Sequence, residues 1–309
     1  MKKIETAAIV GMGALGLMYG NIILKGIGPE HFCFVMDHER AERNRGKKSL
    51  CNKEEVEFPV RETKEASPVD LLIVAVKYPS LEGAMSVMEP LVGEDTTILS
   101  VMNGISSEEI LGERFGKDHL ILTVAQGMDA MHFGNEVVYT RMGFLYIGVG
   151  DDATAVQKER VDQVAEFFRE IGMPYVREAD ILHRIWAKFM LNVGCNQTCM
   201  VYGCGYGVAG TPGTEEMACY VSAMREVVLI ANKEGIGLNE NDVMEYVSLM
   251  ETLDPEATPS MGQDRINKKP SEVEAFAGTV ISIAKKHGIA VPANEFLYRR
   301  VKEIEREYL

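Results

Sequence analysis

Three sets of residues in this 309-residue chain have types and spacings that could do chemistry. The first is Gly11-Met12-Gly13-Ala14-Leu15-Gly16, directly after the apolar run Ala7-Ala8-Ile9-Val10. A Gly-x-Gly-x-x-Gly turn between a buried strand and a helix suits the pyrophosphate of a dinucleotide. The first glycine permits a tight turn, the second lets the backbone approach phosphate, and the third lets helix pack on strand. The helix N-terminus adds N–H groups and a positive dipole end.

The second set is Asp37, Lys77 and Asn103, each following an apolar run. Asp37 lies 21 residues past Gly16, where a carboxylate can accept hydrogen bonds from the adenosine ribose. It would repel a 2′-phosphate and so favour NAD over NADP, while Arg40, Arg43 and Arg45 could pair with that phosphate and reverse the preference. The competing reading is a solvated acid at a strand end. Lys77 offers a cation, and Asn103 an amide donor and acceptor, near a nicotinamide ribose. The third set is Lys188, Asn192 and Asn196, spaced by four within an otherwise apolar segment. On an α-helix they form one polar stripe, and a stripe of one lysine and two amides reads as site lining.

The elements that would hold these residues alternate in type. Val69–Val76, Thr96–Met102 and Leu120–Ala125 are near-continuous apolar runs, as in parallel strands buried on both faces. With His31–Met36 and helical segments near 79–91 and 105–115, they predict a doubly wound parallel sheet of the α/β class. In such a sheet ligands lie beyond the carboxyl ends of the strands. Gly11–Gly16, Asp37, Lys77 and Asn103 then share one rim. Glu136–Met142 and Phe144–Val149, separated by Gly143, suggest a hairpin or two edge strands. An amphipathic helix over Asp151–Ile171 and a short strand at Tyr175-Val176 close a first domain of residues 1–178.

Residues 179–309 read as all-helical. Asp180 could cap a long helix through Val193, and further helices are expected near 214–234, 240–250 and from 293 onward. The five glycines between Gly203 and Gly213 make a loop, which lacks the Gly-Lys-Ser/Thr ending of a phosphate loop. Ser271 with Glu274 fits a capping box, with Glu272 in the first turn of the helix that follows. Cys195, Cys199 and Cys204 are close in sequence, but no CxxC pair or nearby histidine supports a metal site. Reduced, buried thiols are expected instead, and no metal.

Composition excludes several function classes. The net charge of −14 argues against a nucleic-acid or anionic-membrane surface. No run approaches the roughly 20 apolar residues of a membrane span. Met1-Lys2-Lys3 leads into the first strand without a signal-type apolar core, which predicts a cytoplasmic protein.

Taken together, Gly11–Gly16, Val76-Lys77, Asn103-Gly104, Lys188-Phe189-x-x-Asn192, Asn196 and Ser260-Met261-x-Gln263-Asp264 with Glu272 beyond resemble the ketopantoate reductase family. The resemblance implies a Rossmann domain, a helical second domain, a site in the cleft between them, and NADPH-dependent reduction of ketopantoate to pantoate. It also implies that Lys188 is the general acid, that Glu272 assists it, and that Asn192, Asn196 and Ser260 bind the substrate's hydroxyl and carboxylate. Lys77 and Asn103 would contact cofactor and substrate. Asp37 stands where that family leads one to expect an arginine, which keeps NADH open as cofactor. Gln197-Thr198-Cys199-Met200 replaces a small residue or proline followed by Leu-Thr. Reduction of another small 2-oxo acid is the nearest alternative, and a non-catalytic nucleotide-responsive protein a more distant one. A 3-hydroxyacid dehydrogenase-like enzyme would need His183 or His287 as its catalytic histidine. An acidic helical domain could also form a homodimer.

Overall fold

The computed structural model describes residues 2–309, which fall into two compact units. One comprises the residues up to Met102 and Ser106–Leu182, the other Asn103–Ile105 and His183–Leu309. Among the described residues no helix is long and apolar enough to cross a membrane.

The first unit contains strands β1 (Ala7–Val10), β2 (Phe32–Met36), β3 (Lys48–Cys51), β4 (Glu54–Glu57), β5 (Val60–Glu62), β6 (Leu71–Val74), β7 (Thr97–Ser100), β8 (Leu122–Met128), β9 (Met131–Phe133), β10 (Glu136–Val138), β11 (Met142–Gly148) and β12 (Tyr175–Arg177). Its helices are α1 (Ala14–Ile27), α2 (His38–Asn44), α3 (Leu81–Met88), α4 (Ser107–Phe115) and α5 (Ala155–Ile171). The main sheet is parallel throughout, in the order β5-β2-β1-β6-β7. This is the doubly wound arrangement expected, with its switch point between β1 and β6. Alternate residues of each strand enter opposite cores. Ala7, Ile9, Phe32, Phe34, Leu71 and Ile73 pack with α1 and α5, whereas Ala8, Val10, Cys33, Val35, Leu72 and Val74 pack with α3. Burial of each large apolar side chain contributes about 1.5–3 kcal/mol, so the sheet is held from both faces.

Three departures from the sequence reading have local causes. The apolar run at 120–125 does not extend the parallel sheet. β8 instead pairs antiparallel with β11, which pairs parallel with β12, and a lone bridge from Ile98 to Leu120 is its tie to β7. An apolar run specifies burial but not the direction of its partner. Gly143 is no hairpin turn: it lies inside β11 at φ +59, where a Cβ would sit 2.2 Å from the Gln126 carbonyl oxygen. The unforeseen β3–β4 hairpin turns on Asn52 and Lys53, both at positive φ, as a two-residue hairpin loop requires.

In the second unit α6 (Ile181–Leu191) runs into a π-turn at Asn192–Asn196 and then α7 (Gln197–Tyr202). There follow α8 (Tyr206–Ala209), α9 (Glu215–Lys233), α10 (Glu240–Met250), α11 (Ser260–Ile266), a second π-turn at Glu274–Gly278, α12 (Thr279–His287) and α13 (Pro292–Glu305). The glycine-rich segment is therefore not all loop, since it holds α8, tied through the Tyr206 and Gly207 amides to the carbonyls of Ala257 and Pro255. The expected capping box is also absent. The Ser271 amide donates to Glu305 instead (2.7 Å), and Glu274 pairs with Tyr298 and Lys302.

Candidate active site

At the carboxyl end of β1 the chain turns sharply through Gly11, at φ +112, so close to Ala75 that a Cβ would lie 2.3 Å from its carbonyl oxygen. Gly16 is held as tightly, since a Cβ there would be 2.0 Å from the Gly11 oxygen. These two glycines bring helix and turn against the switch point. Gly13 differs: nothing lies within 4 Å of where its Cβ would be. Its lack of a side chain serves no internal contact and leaves the backbone open to a ligand. Gly13 is also the N-cap of α1, with no side-chain cap and no acidic residue in the first turn. Met12, Ala14 and Leu15 pack on the core beneath. The turn thus fits a pyrophosphate, with backbone N–H groups and the helix dipole as its binding elements.

Two sequence-predicted residues flank that turn in the fold's logic, at the ends of β2 and β6. Asp37 is the N-cap of α2: its Oδ1 accepts from the Arg40 amide (2.9 Å) and its Oδ2 pairs with Arg40 Nε (3.3 Å). The carboxylate keeps nearly half its side-chain surface exposed, so capping leaves part of it open to a ribose. Arg45 is committed to Glu65 (2.6 Å), and Arg43 donates to the Glu39 carbonyl. Lys77 begins a short turn, its carbonyl accepting from the Ser80 amide (2.8 Å), with its side chain exposed.

The second unit assembles a different kind of site. Lys188 Nζ donates to Asn103 Oδ1 at 3.0 Å, and Asn103 Nδ2 donates to Glu272 Oε2 at 3.1 Å. One amide thus connects an ammonium and a carboxylate, and the charge at each end orients it. Glu272 is only 5 % exposed, so its carboxyl must find its hydrogen-bond partners within the protein. Asn196 Nδ2 donates to Ser260 Oγ at 3.3 Å, at the first turn of α11. Asn192 is buried, and its Nδ2 has no hydrogen-bond partner among the described residues. The polar stripe is not the regular α-helical one expected from the spacing. The π-turn closes i to i+5, so Asn196 falls short of a full turn from Asn192.

Comparison with known proteins identifies the family. A sequence profile described as "Ketopantoate reductase PanE/ApbA" matches residues 7–152, and "Ketopantoate reductase PanE/ApbA C terminal" matches residues 180–305. The chain belongs to the ketopantoate reductase family. It is 29 % identical over 267 residues to the 2-dehydropantoate 2-reductase of Aquifex aeolicus, covering 81 % of this chain and 83 % of that one. The enzyme of the same name from Streptococcus pyogenes serotype M1 is 24 % identical over 293 residues, with 92 % of both chains covered. Among solved structures, a 2-dehydropantoate 2-reductase from Geobacter metallireducens superposes with a TM-score of 0.82 at 27 % identity, covering 96 % of this chain and 99 % of that one. A ternary structure of D-mandelate dehydrogenase with NADH and anilino(oxo)acetate shares the fold at a TM-score of 0.86 and 24 % identity, covering 98 % and 99 %. Ketopantoate reductases are NAD(P)H-dependent oxidoreductases acting on a 2-oxo acid.

The remaining candidates from the sequence have structural partners in this member of the family. His183 Nε2 lies 2.8 Å from Asp242 Oδ1 on α10, and His287 pairs with Glu234. All six cysteines are free, with Cys33, Cys51, Cys195 and Cys199 buried and Cys204 and Cys219 half-buried. Burial pushes the Cys51 thiol up to about 11, away from nucleophilic reactivity. Among the described residues no group of three or more His, Cys, Asp or Glu could hold a metal ion.

Proposed function

We propose that this chain is a cytoplasmic 2-dehydropantoate 2-reductase, reducing ketopantoate to pantoate. The observation that carries the reading is the Lys188–Asn103–Glu272 chain of hydrogen bonds beside the amides of the first π-turn. In this reading residues 1–178 form the cofactor domain and residues 179–309 the substrate domain. Gly11–Gly16, Asp37, Lys77 and Asn103 hold the dinucleotide. When bound, its reduced nicotinamide would supply a hydride to the 2-oxo carbon. Charge then grows on the carbonyl oxygen, where the Lys188 ammonium stabilises it and delivers the proton that completes the hydroxyl. Glu272 holds the ammonium in place through Asn103 and offsets the cost of bringing a cation out of water. Asn192, Asn196 and Ser260 supply donors for the carboxylate and hydroxyl of the substrate, and the unpartnered Asn192 Nδ2 is suited to that task.

Two cofactor forms remain open to this turn. The resemblance of the whole chain favours NADPH, whereas Asp37 favours NADH because a carboxylate repels the 2′-phosphate. The fold is shared with an enzyme of another name, so fold alone does not choose the substrate. The test is loss of nicotinamide absorbance with ketopantoate, run in parallel with NADPH and NADH. Oxidation is expected with at least one of them. Cofactor binding without turnover, while a panel of other 2-oxo acids is reduced, would replace ketopantoate with the acid that is turned over.

A further inference from the structure

Both π-turns of the helical unit leave a backbone group without its α-helical partner. In the second, the Phe276 amide donates to the Glu272 carbonyl (3.1 Å) and the Gly278 amide to the Val273 carbonyl (3.0 Å), so the Ala277 amide between them is passed over. In the first, the Gln197 amide donates to the Gly194 carbonyl and not to that of Val193, its α-helical acceptor. One side chain serves both. Gln197 Nε2 donates to the Val193 oxygen at 2.7 Å, and Gln197 Oε1 accepts from the Ala277 amide at 3.1 Å. Gln197 is wholly buried, so water cannot replace either bond.

We propose that Gln197 is a positioning residue that locks the two π-turns to each other and so sets the substrate amides against the carboxylate. The turn at 192–196 carries Asn192 and Asn196. The turn at 274–278 is hydrogen-bonded back to Glu272. A slip of either turn to α-helical closure would rotate its functional side chain by a large fraction of a turn. Only a side chain with a donor and an acceptor on one planar group, at the first position of α7, can satisfy a carbonyl on one side and an amide on the other. This assignment rests on the proposed reading of Asn192, Asn196 and Glu272 as site residues.

Gln197→Met keeps the volume and removes both bonds. It is expected to raise KM for the 2-oxo acid about tenfold or more, with cofactor affinity unchanged. Gln197→Glu provides the conservative rescue. Its neutral carboxyl can donate to Val193 and accept from Ala277, so KM should stay near wild type at low pH and rise as the carboxyl ionises, relative to the wild-type profile. Hydrogen exchange reads the coupling without activity: Gln197→Met should lose protection over 192–197 and 272–278 together. A KM unchanged per folded molecule, or loss of protection in one segment only, would overturn the proposal. Should Gln197→Met fail to fold, the pH profile of Gln197→Glu decides, and a profile matching wild type refutes the lock. Wild-type enzyme inactive on every 2-oxo acid would instead defeat the functional reading, and hydrogen exchange would still test the lock.

Discussion

The glycine turn and the Lys188–Asn103–Glu272 chain are built in opposite ways. The turn is built from six consecutive residues and offers backbone groups, with Gly11 and Gly16 tightly packed and Gly13 leaving its backbone open. The helical site offers side chains, and its hydrogen bonds join residues 85, 169 and 64 positions apart in sequence. Backbone recognition can be encoded locally because a turn of fixed conformation presents N–H groups whatever lies elsewhere. Side-chain recognition cannot, because each partner arrives on its own element and only packing sets the distance.

That contrast is open to direct test. If the two sites are separable, Lys188→Ala should lower kcat by about 10²–10⁴-fold, as for loss of a general acid, and leave the cofactor Kd unchanged. Equal loss of cofactor binding in that variant would break the separation. Gly13→Val should do the reverse, weakening cofactor binding about tenfold or more while the stability cost stays under about 1 kcal/mol, that of a poorer N-cap. The new side chain meets nothing in the protein itself. A large fall in Tm would show that Gly13 packs internally after all.

Asp37→Ser sharpens the comparison within the first site, because serine still caps α2 while the charge is removed. The ratio of kcat/KM for NADPH over NADH should rise several-fold, up to about tenfold, which corresponds to ~1.4 kcal/mol. An unchanged ratio would leave Asp37 as a helix cap alone. The smallest effect belongs to Glu274. Burial pushes its carboxyl up, but hydrogen bonds from Lys302 and Tyr298 outweigh this and hold it below the usual value. A depressed carboxyl stabilises the fold fully above its unfolded value near 4.3 and loses that contribution as pH falls through the folded value. Half its side chain is exposed, so solvent screening reduces the contribution to about 0.2–1 kcal/mol. Urea denaturation of Glu274→Gln should show that deficit at pH 7 and none near pH 2.

Much of the fold was legible in the chain because its signals are local. The buried run at 7–10, the glycines after it and the helix that follows require one another, and the apolar runs that became β6 and β7 marked buried strands. The run at 120–125 carries the same apolar signal yet joins another sheet, since burial alone does not name a partner. Spacing placed Lys188, Asn192 and Asn196 on one segment. It could not show a π-turn there, because that register jump depends on a carbonyl and an amide finding Gln197.

The sequence by itself determined the glycine turn, the buried strands and helix around it, and the residue types able to bind and protonate a 2-oxo acid. Those features depend on steric limits and periodicity within a few residues. The tertiary structure alone decided that Asn103 links Lys188 to Glu272, that Asp37 caps a helix, and that Gln197 ties two distant turns. Each is a directional bond a few ångströms long between distant parts of the chain, and such bonds exist only once packing has brought the partners into register.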